Sequence, residues 1–272
     1  MKQKKLFRDM SVLYTVLMFL FIYIPTIIMM VYSFNQQESN KHWTGFTTEW
    51  YARLITDSNL WASFALSMKI SLVSTLIVVV IGTLGAMGLT RHRFFGRNAL
   101  TYAIYIPMTV PGVVFSVAIM SLMSLSGITK GFTAVVLGNV ILMLPYMVLT
   151  VRTRFLQFDR SIEEASMDLG ANGLQTFWHV TLPNILPGVF TGALLSFALT
   201  LDDVVMADFL AGPNCLTFPM KVYNSVRKGV SPEINALETI ISALIMLGVI
   251  LYLTVSNRKR PAPAAENSKD IT

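Results

Sequence analysis

The chain has 272 residues, 54% of them hydrophobic and only 13% charged, with a mean hydropathy of +0.60 and a formal net charge of +6. A soluble domain carries roughly 25% charge, so the composition excludes a large soluble core and describes an integral membrane protein. A single cysteine, Cys215, excludes an internal disulfide framework, and three scattered histidines, His42, His92 and His179, offer no metal-ligand spacing.

A bilayer-spanning helix needs about 17–25 predominantly apolar residues. Six runs meet that length, at about Val12–Phe34, Ser67–Thr90, Ala99–Ser124, Phe132–Val151, Pro187–Phe209 and Ala236–Ser256. The expected organisation is a leader over 1–11, a six-span domain over 12–256 with a long inner loop at about 152–186, and a polar tail over 257–272. The basic leader MKQKKLFR could precede a signal-peptide core, but the first run is long and lacks a small-x-small cleavage site, which favours an uncleaved span. With the N-terminus inside, fourteen of the 21 Lys and Arg fall in inner segments and six in outer ones, Lys69 lying within the second span. This asymmetry predicts that both termini are cytoplasmic and accounts for the basic excess without nucleic acid.

In chain order, Pro25 predicts a kink in the first span. The outer segment that follows is rich in Trp, Tyr and Phe, and reads either as an interfacial aromatic belt or as a docking face for an external partner. Lys69, near the outer end of the second span, reads as a snorkelling side chain or a functional charge. Gly82, Gly85 and Gly88 predict close approach of another helix. Arg91, Arg93 and Arg97 flank an inner turn at Gly96 and anchor topology, and Pro107, Pro111 and Gly112 mark the third span as a bend beside a cavity or as an ordinary bundle helix.

The longest structured interruption is Asp159–Pro187, DRSIEEASMDLGANGLQTFWHVTLPNILP. Ser161 with Glu164 has the spacing of a capping box, Gly170 stands where a left-handed helix cap belongs, Asn172 with Gln175 repeats the N-terminal signature, and Pro183 is expected to stop the second helix. Ile162, Ala165 and Leu169 share one predicted face, and Leu174, Phe177 and Trp178 another. The expectation is two short amphipathic helices meeting at a glycine, with a surface for a partner to grip.

The fifth run carries Asp202 and Asp203, with Asp208 nearer the outer interface. A carboxylate near the middle of a membrane helix costs about 2.5–3.5 kcal/mol on insertion scales. The pair therefore reads as a pathway presenting negative charge to a cationic solute, or else as an inter-subunit salt bridge or helix cap. After it, Ser231-Pro232-Glu233 reads as N-cap, N1 and acidic first turn of the sixth span, and the Pro/Ala-rich tail is expected to be disordered.

No GxxxxGK[ST] phosphate loop, HExxH or GxSxG motif is present. Uphill transport by this chain would need a separate motor protein on the inner loop. Glu164-Ala165-Ser166, three residues, Gly170, nine residues and Val180-Thr181-Leu182-Pro183 resemble the EAA loop of ABC-importer permeases, with Ser166 for the second alanine and Val180 for isoleucine. The resemblance extends over nearly the whole chain to the permease subunits of spermidine/putrescine importers, in particular the C-type subunit. It is carried by Tyr32-Ser33-Phe34-Asn35, Trp43 to Thr48 with Trp50-Tyr51, Ala165 to Ala171, Ser196-Phe197, Leu201 to Val205, Gly212-Pro213 and Gly229 to Leu237.

That resemblance implies an all-α polytopic protein of the type I ABC-importer permease fold in a bacterial inner membrane, with a cytoplasmic two-helix coupling loop. It implies a heterodimer with a second homologous permease, two copies of an ATPase at the loop, a periplasmic polyamine-binding protein and a lipid surround. The chain itself would be non-catalytic and bind no cofactor, ATP and magnesium being used by the ATPase. The loop residues taken for coupling are Ser161, Glu163, Glu164, Ala165, Asp168, Gly170, Leu182 and Pro183, while Asp202, Asp203 and Asp208 stand as pathway candidates on the cost of their charge in a membrane helix. A permease for another cationic solute, and a proton-coupled secondary transporter using the two aspartates as a relay, are the competing expectations.

Overall fold

The computed structural model describes residues 2–37, 42–228 and 232–258. The expected N-cap Ser231 and nearly all of the tail lie outside them. Among the described residues there are helices and no strands, one isolated bridge joining Asn35 to Phe46. The helices are α1 Lys2–Tyr32, α2 Glu49–Thr56, α3 Ser58–Arg91, α4 Arg97–Tyr105, α5 Gly112–Leu125 and α6 Phe132–Gln157. They continue as α7 Ser161–Asp168, α8 Gly173–Thr176, α9 Leu182–Leu201, α10 Val205–Leu210, α11 Phe218–Lys228 and α12 Pro232–Arg258. Among the described residues five stretches are long and apolar enough to cross a membrane, or six if the bent pair α4–α5 counts as one span.

Two compact units form. One draws on both ends of the chain, where α1 and α2 each pack on α12. Its centre is a knot of motif residues after α1. Asn35, fully buried, donates from Nδ2 to the His42 carbonyl (2.9 Å) and accepts at Oδ1 from the Thr44 amide (2.9 Å), while its carbonyl takes the Trp50 indole N–H (2.6 Å). Phe34 stacks on Phe46, and Ser33 Oγ lies 2.7 Å from the Tyr51 hydroxyl. Part of the aromatic content of this segment therefore serves an internal fold.

The second unit, Ser58–Asn224, is built on three long helices, α3, α6 and α9, each packed against the other two. Their approach is set by small residues against Met147. A Cβ on Gly82 of α3 would come within 2.5 Å of the Met147 side chain, and one on Gly192 of α9 would do the same from the other side. Of the three α3 glycines only Gly82 is so engaged; Gly85 is in ordinary contact and Gly88 faces open space.

Two expected spans are corrected. The third is broken: α4 runs through a 3-10 turn, Ile106–Met108, and α5 leaves at 113° to it. Pro111 cannot donate into a continuing helix and disfavours the helical conformation of Val110, so the chain turns there. The fifth begins earlier and ends earlier than the hydropathy implies. Helix runs without interruption from Gly173 to Leu201, and Pro183 does not stop it. Phe177–Thr181 winds as a π-helix, in which the Leu182 N–H reaches back to the Phe177 carbonyl. The wider turn relieves the clash that a proline makes with the carbonyl four residues before it. The Asn184 side-chain amide donates from Nδ2 to the Val180 carbonyl at 2.6 Å.

Candidate functional site: the Asp159–Pro187 loop and the break after α9

The loop opens on Asp159, whose carboxylate accepts the Ser161 amide at 2.9 Å and is held below the usual carboxylate range by that bond and by the Ser161 hydroxyl. Asp159 thus does what Ser161 was expected to do. Ser161 is the first residue of α7 and makes no cap, and Glu164 turns outward to pair with Arg160 at 3.1 Å. The α7–α8 junction follows the sequence closely. Gly170 takes φ +95°, and the chain closes through Gly170 N–H to Met167 and Ala171 N–H to Ser166. At α8, Asn172 and Gln175 form a reciprocal capping box, both bonds 2.9 Å. Ser166 Oγ lies 3.3 Å from Thr176 Oγ1 and links the two short helices.

Among the charged and polar groups that the loop exposes stand several large apolar side chains: Leu169 is 90% exposed, Leu174 70% and Trp178 58%, and Ile162 and Met167 are exposed too. Ala165, Asp168 and Pro183 are exposed as well, whereas Leu182 is half-buried against the core. Phe177 is half-buried and meets Trp178 edge to face.

Glu163 behaves oppositely to its neighbours. It is buried, with one carboxylate oxygen 3.0 Å from Arg91 Nε at the end of α3 and the other accepting the Thr181 hydroxyl at 2.7 Å. The Arg91 guanidinium lies over the rings of Phe155 and Phe158, at 5.3 and 5.5 Å. From its place beside the turn at Gly96, Arg91 is expected only to anchor topology. No local spacing signals this contact, because the partners come from helices distant in sequence.

The aspartates do not lie within one continuous helix, as their sequence setting implied. Helix α9 ends at Leu201, Asp202 is its C-cap, and three residues pass before α10. Asp203 turns inward and accepts the amides of Met206 and Ala207, both at 3.2 Å, so it caps α10. Buried hydroxyls and an amide gather near it, Ser67, Asn139, Thr200 and Thr217, and Ser67 Oγ accepts the Phe218 amide at 2.8 Å. Asp202 and Asp208 are exposed. Two adjacent carboxylates therefore have different environments, one supplied with backbone donors and one open. Among the described residues no group of His, Cys, Asp and Glu has the arrangement of a metal site.

Comparison with known proteins gives this geometry its context. The chain is 36% identical over 250 residues, 89% of each chain, to the putrescine transport system permease protein PotI of Escherichia coli (strain K12). It is 36% identical over 239 residues, 88% of this chain and 90% of the other, to the spermidine/putrescine transport system permease protein PotC of the same organism. In fold it matches a chain of a bacterial ABC transporter involved in the import of the acidic polysaccharide alginate, with a TM-score of 0.70 at 19% identity, covering 96% of this chain and 99% of that one. Residues 78–259, which run from the middle of α3 past the end of α12, match the model of the binding-protein-dependent transport system inner membrane component. The chain belongs to that family: it is a permease subunit of an ABC importer, a transport component and not an enzyme.

Proposed function

We propose that this chain is one half of a heterodimeric inner-membrane permease that imports polyamines, driven by a separate ATPase. The fold alone does not identify the solute, since the alginate transporter has the same architecture and carries an acidic polymer. Support for a polycation comes from the relatives named for putrescine and spermidine and from the carboxylate at the break after α9. Asp202, open and without the backbone donors that satisfy Asp203, is the group we assign to the solute. A diamine or triamine, cationic along its length, would offset the cost of holding that carboxylate within the bilayer.

The Lys and Arg bias supports a cytoplasmic position for both termini and for the Asp159–Pro187 loop. The loop's exposed apolar face would sit in a groove of the ATPase, which supplies ATP and magnesium chemistry that this chain has no motif for. Closure of two ATPase copies would draw the loops of the two permeases together and open the path toward a periplasmic polyamine-binding protein. Hydrolysis would reverse the movement and release the polyamine inward.

The observation that carries this reading is the exposed Asp202 beside the inward-turned Asp203. Asp202→Asn is expected to abolish most putrescine uptake while leaving assembly of the complex intact, whereas Asp203→Asn retains an oxygen that can cap α10 and keeps more of it. Uptake of radiolabelled putrescine by proteoliposomes, with spermidine and other cationic amines as competitors, measures both. Normal transport by Asp202→Asn would make that carboxylate structural, and stronger competition by a different amine would move the solute assignment.

A further inference from the structure

Glu163 is the one acidic residue of α7 that does not face outward, and its two oxygens are shared between two other elements. One meets Arg91 at the end of α3, and the other meets Thr181 at the end of the π-helical turn that leads into α9. Arg91 in turn lies against Phe155 and Phe158, at the end of α6. A single carboxylate thus gathers the ends of all three helices that form the core of the second unit.

The contact is not a simple clamp. Arg91 Nε is 3.0 Å from the carboxylate but off the line of a hydrogen bond, and Nη2 has no hydrogen-bond partner. Charge and aromatic faces hold the guanidinium, and these tolerate rotation better than a bidentate fork does. Stability gives a weak reason for such a pair, because a buried ion pair is often no better than apolar residues of the same volume. A different reason lies in where the pair sits. The outer side of α7 is open, the inner side is Glu163, and beyond it lie α3, α6 and the foot of α9. Helix α9 then runs 20 residues, about 30 Å at 1.5 Å per residue, to the break at Asp202.

We infer that Arg91, Glu163 and Thr181 form the joint through which the loop moves the spans, so that Glu163 is a positioning residue facing the bundle and not a contact for the motor. This rests on the reading that an ATPase docks on the loop. The joint predicts a specific defect: without it the motor still docks and hydrolyses ATP, but its stroke is lost before it reaches α9. Sites coupled at a distance commonly influence one another by about 5–150-fold, and a fall of about tenfold in solute moved per ATP is expected here.

The test uses the complete complex, with its ATPase and loaded binding protein, in proteoliposomes. Glu163→Gln keeps the size of the side chain and an acceptor for Thr181 but loses the charge. It is expected to retain copurifying ATPase and ATP hydrolysis, with putrescine transported per ATP down about tenfold. Arg91→Glu should show the same loss, and the exchange Arg91→Glu with Glu163→Arg should recover a good part of it, which a general loss of stability would not. Thr181→Val, which removes only the hydroxyl, should lower the same ratio to a smaller extent and serves if the charge variants do not assemble. Unchanged transport per ATP in Glu163→Gln, or in Thr181→Val where that variant stands in for it, would overturn the joint. So would an exchange no better than its single variants, or loss of ATPase docking on Glu163→Gln. Failure of the docking reading shows itself separately, as undiminished ATPase copurification when the exposed Trp178 is changed to Ala.

Discussion

Two segments interrupt the spans with similar material and use it in opposite ways. The segment after α1 and the Asp159–Pro187 loop both mix aromatic and small polar residues. In the first, Asn35, Trp50 and Leu54 are buried, and the polar groups bond one another. In the second, the local hydrogen bonds are also made within the loop, but Leu169, Leu174 and Trp178 remain outside. Unpaired polar groups cost free energy wherever they are buried, so both segments satisfy theirs. Exposed apolar groups are different: a cluster of them left uncovered marks an interaction surface. Phe46 and Ile55 of the first segment are exposed as well, so the contrast lies in where the polar bonds are made: around the buried Asn35 in the first, and at the exposed Asn172 and Gln175 in the second.

The largest effect expected from breaking this contrast is in the first segment. Asn35→Ala leaves the His42 carbonyl and Thr44 amide without their partner and should lower stability by about 2–4 kcal/mol, read as a fall in the unfolding temperature of the purified complex. Trp178→Ala should do the reverse, leaving the unfolding temperature unchanged but weakening ATPase binding by about 2 kcal/mol or more, the size of an interface hot spot, measured by titration of the detergent-solubilised permease. Asn172→Ala removes the reciprocal cap of α8, and a local loss of about 1 kcal/mol should appear as faster amide exchange at Gln175 and Thr176. The smallest effect sharpens the comparison most. Leu169→Asp, at a side chain 90% exposed, should change stability by less than about 0.5 kcal/mol while reducing copurifying ATPase.

How far the sequence could be read follows from the range of the forces involved. The Asn172–Gln175 box and the left-handed Gly170 were legible because each is decided within about four residues of chain. The apolar runs were legible because the bilayer sets a length. The bend between α4 and α5 was not, although Pro107, Pro111 and Gly112 mark the place, because a proline permits a kink or a full break and only the neighbouring helices decide which. Pro183 misled for the related reason that a π-turn can carry a helix through a proline. The aspartates drew notice by their cost in a membrane, but hydropathy cannot show that α9 ends one residue before them, nor that Asp203 turns inward to cap the next helix. Glu163 was placed with the partner-facing residues because its neighbours in the chain are there, and its true contacts, Arg91 and Thr181, depend on how α3 and α9 pack.

The claim that the loop is an open coupling surface is tested most directly at Glu164, which is exposed and pairs with Arg160, the residue just before α7. Glu164→Lys reverses a charge on the outer face without touching the buried side of α7. In proteoliposomes holding the complete transporter, ATP hydrolysis stimulated by the loaded binding protein should fall to the basal rate, with the unfolding temperature of the complex unchanged. Full stimulation in that variant would contradict a docking role for the loop.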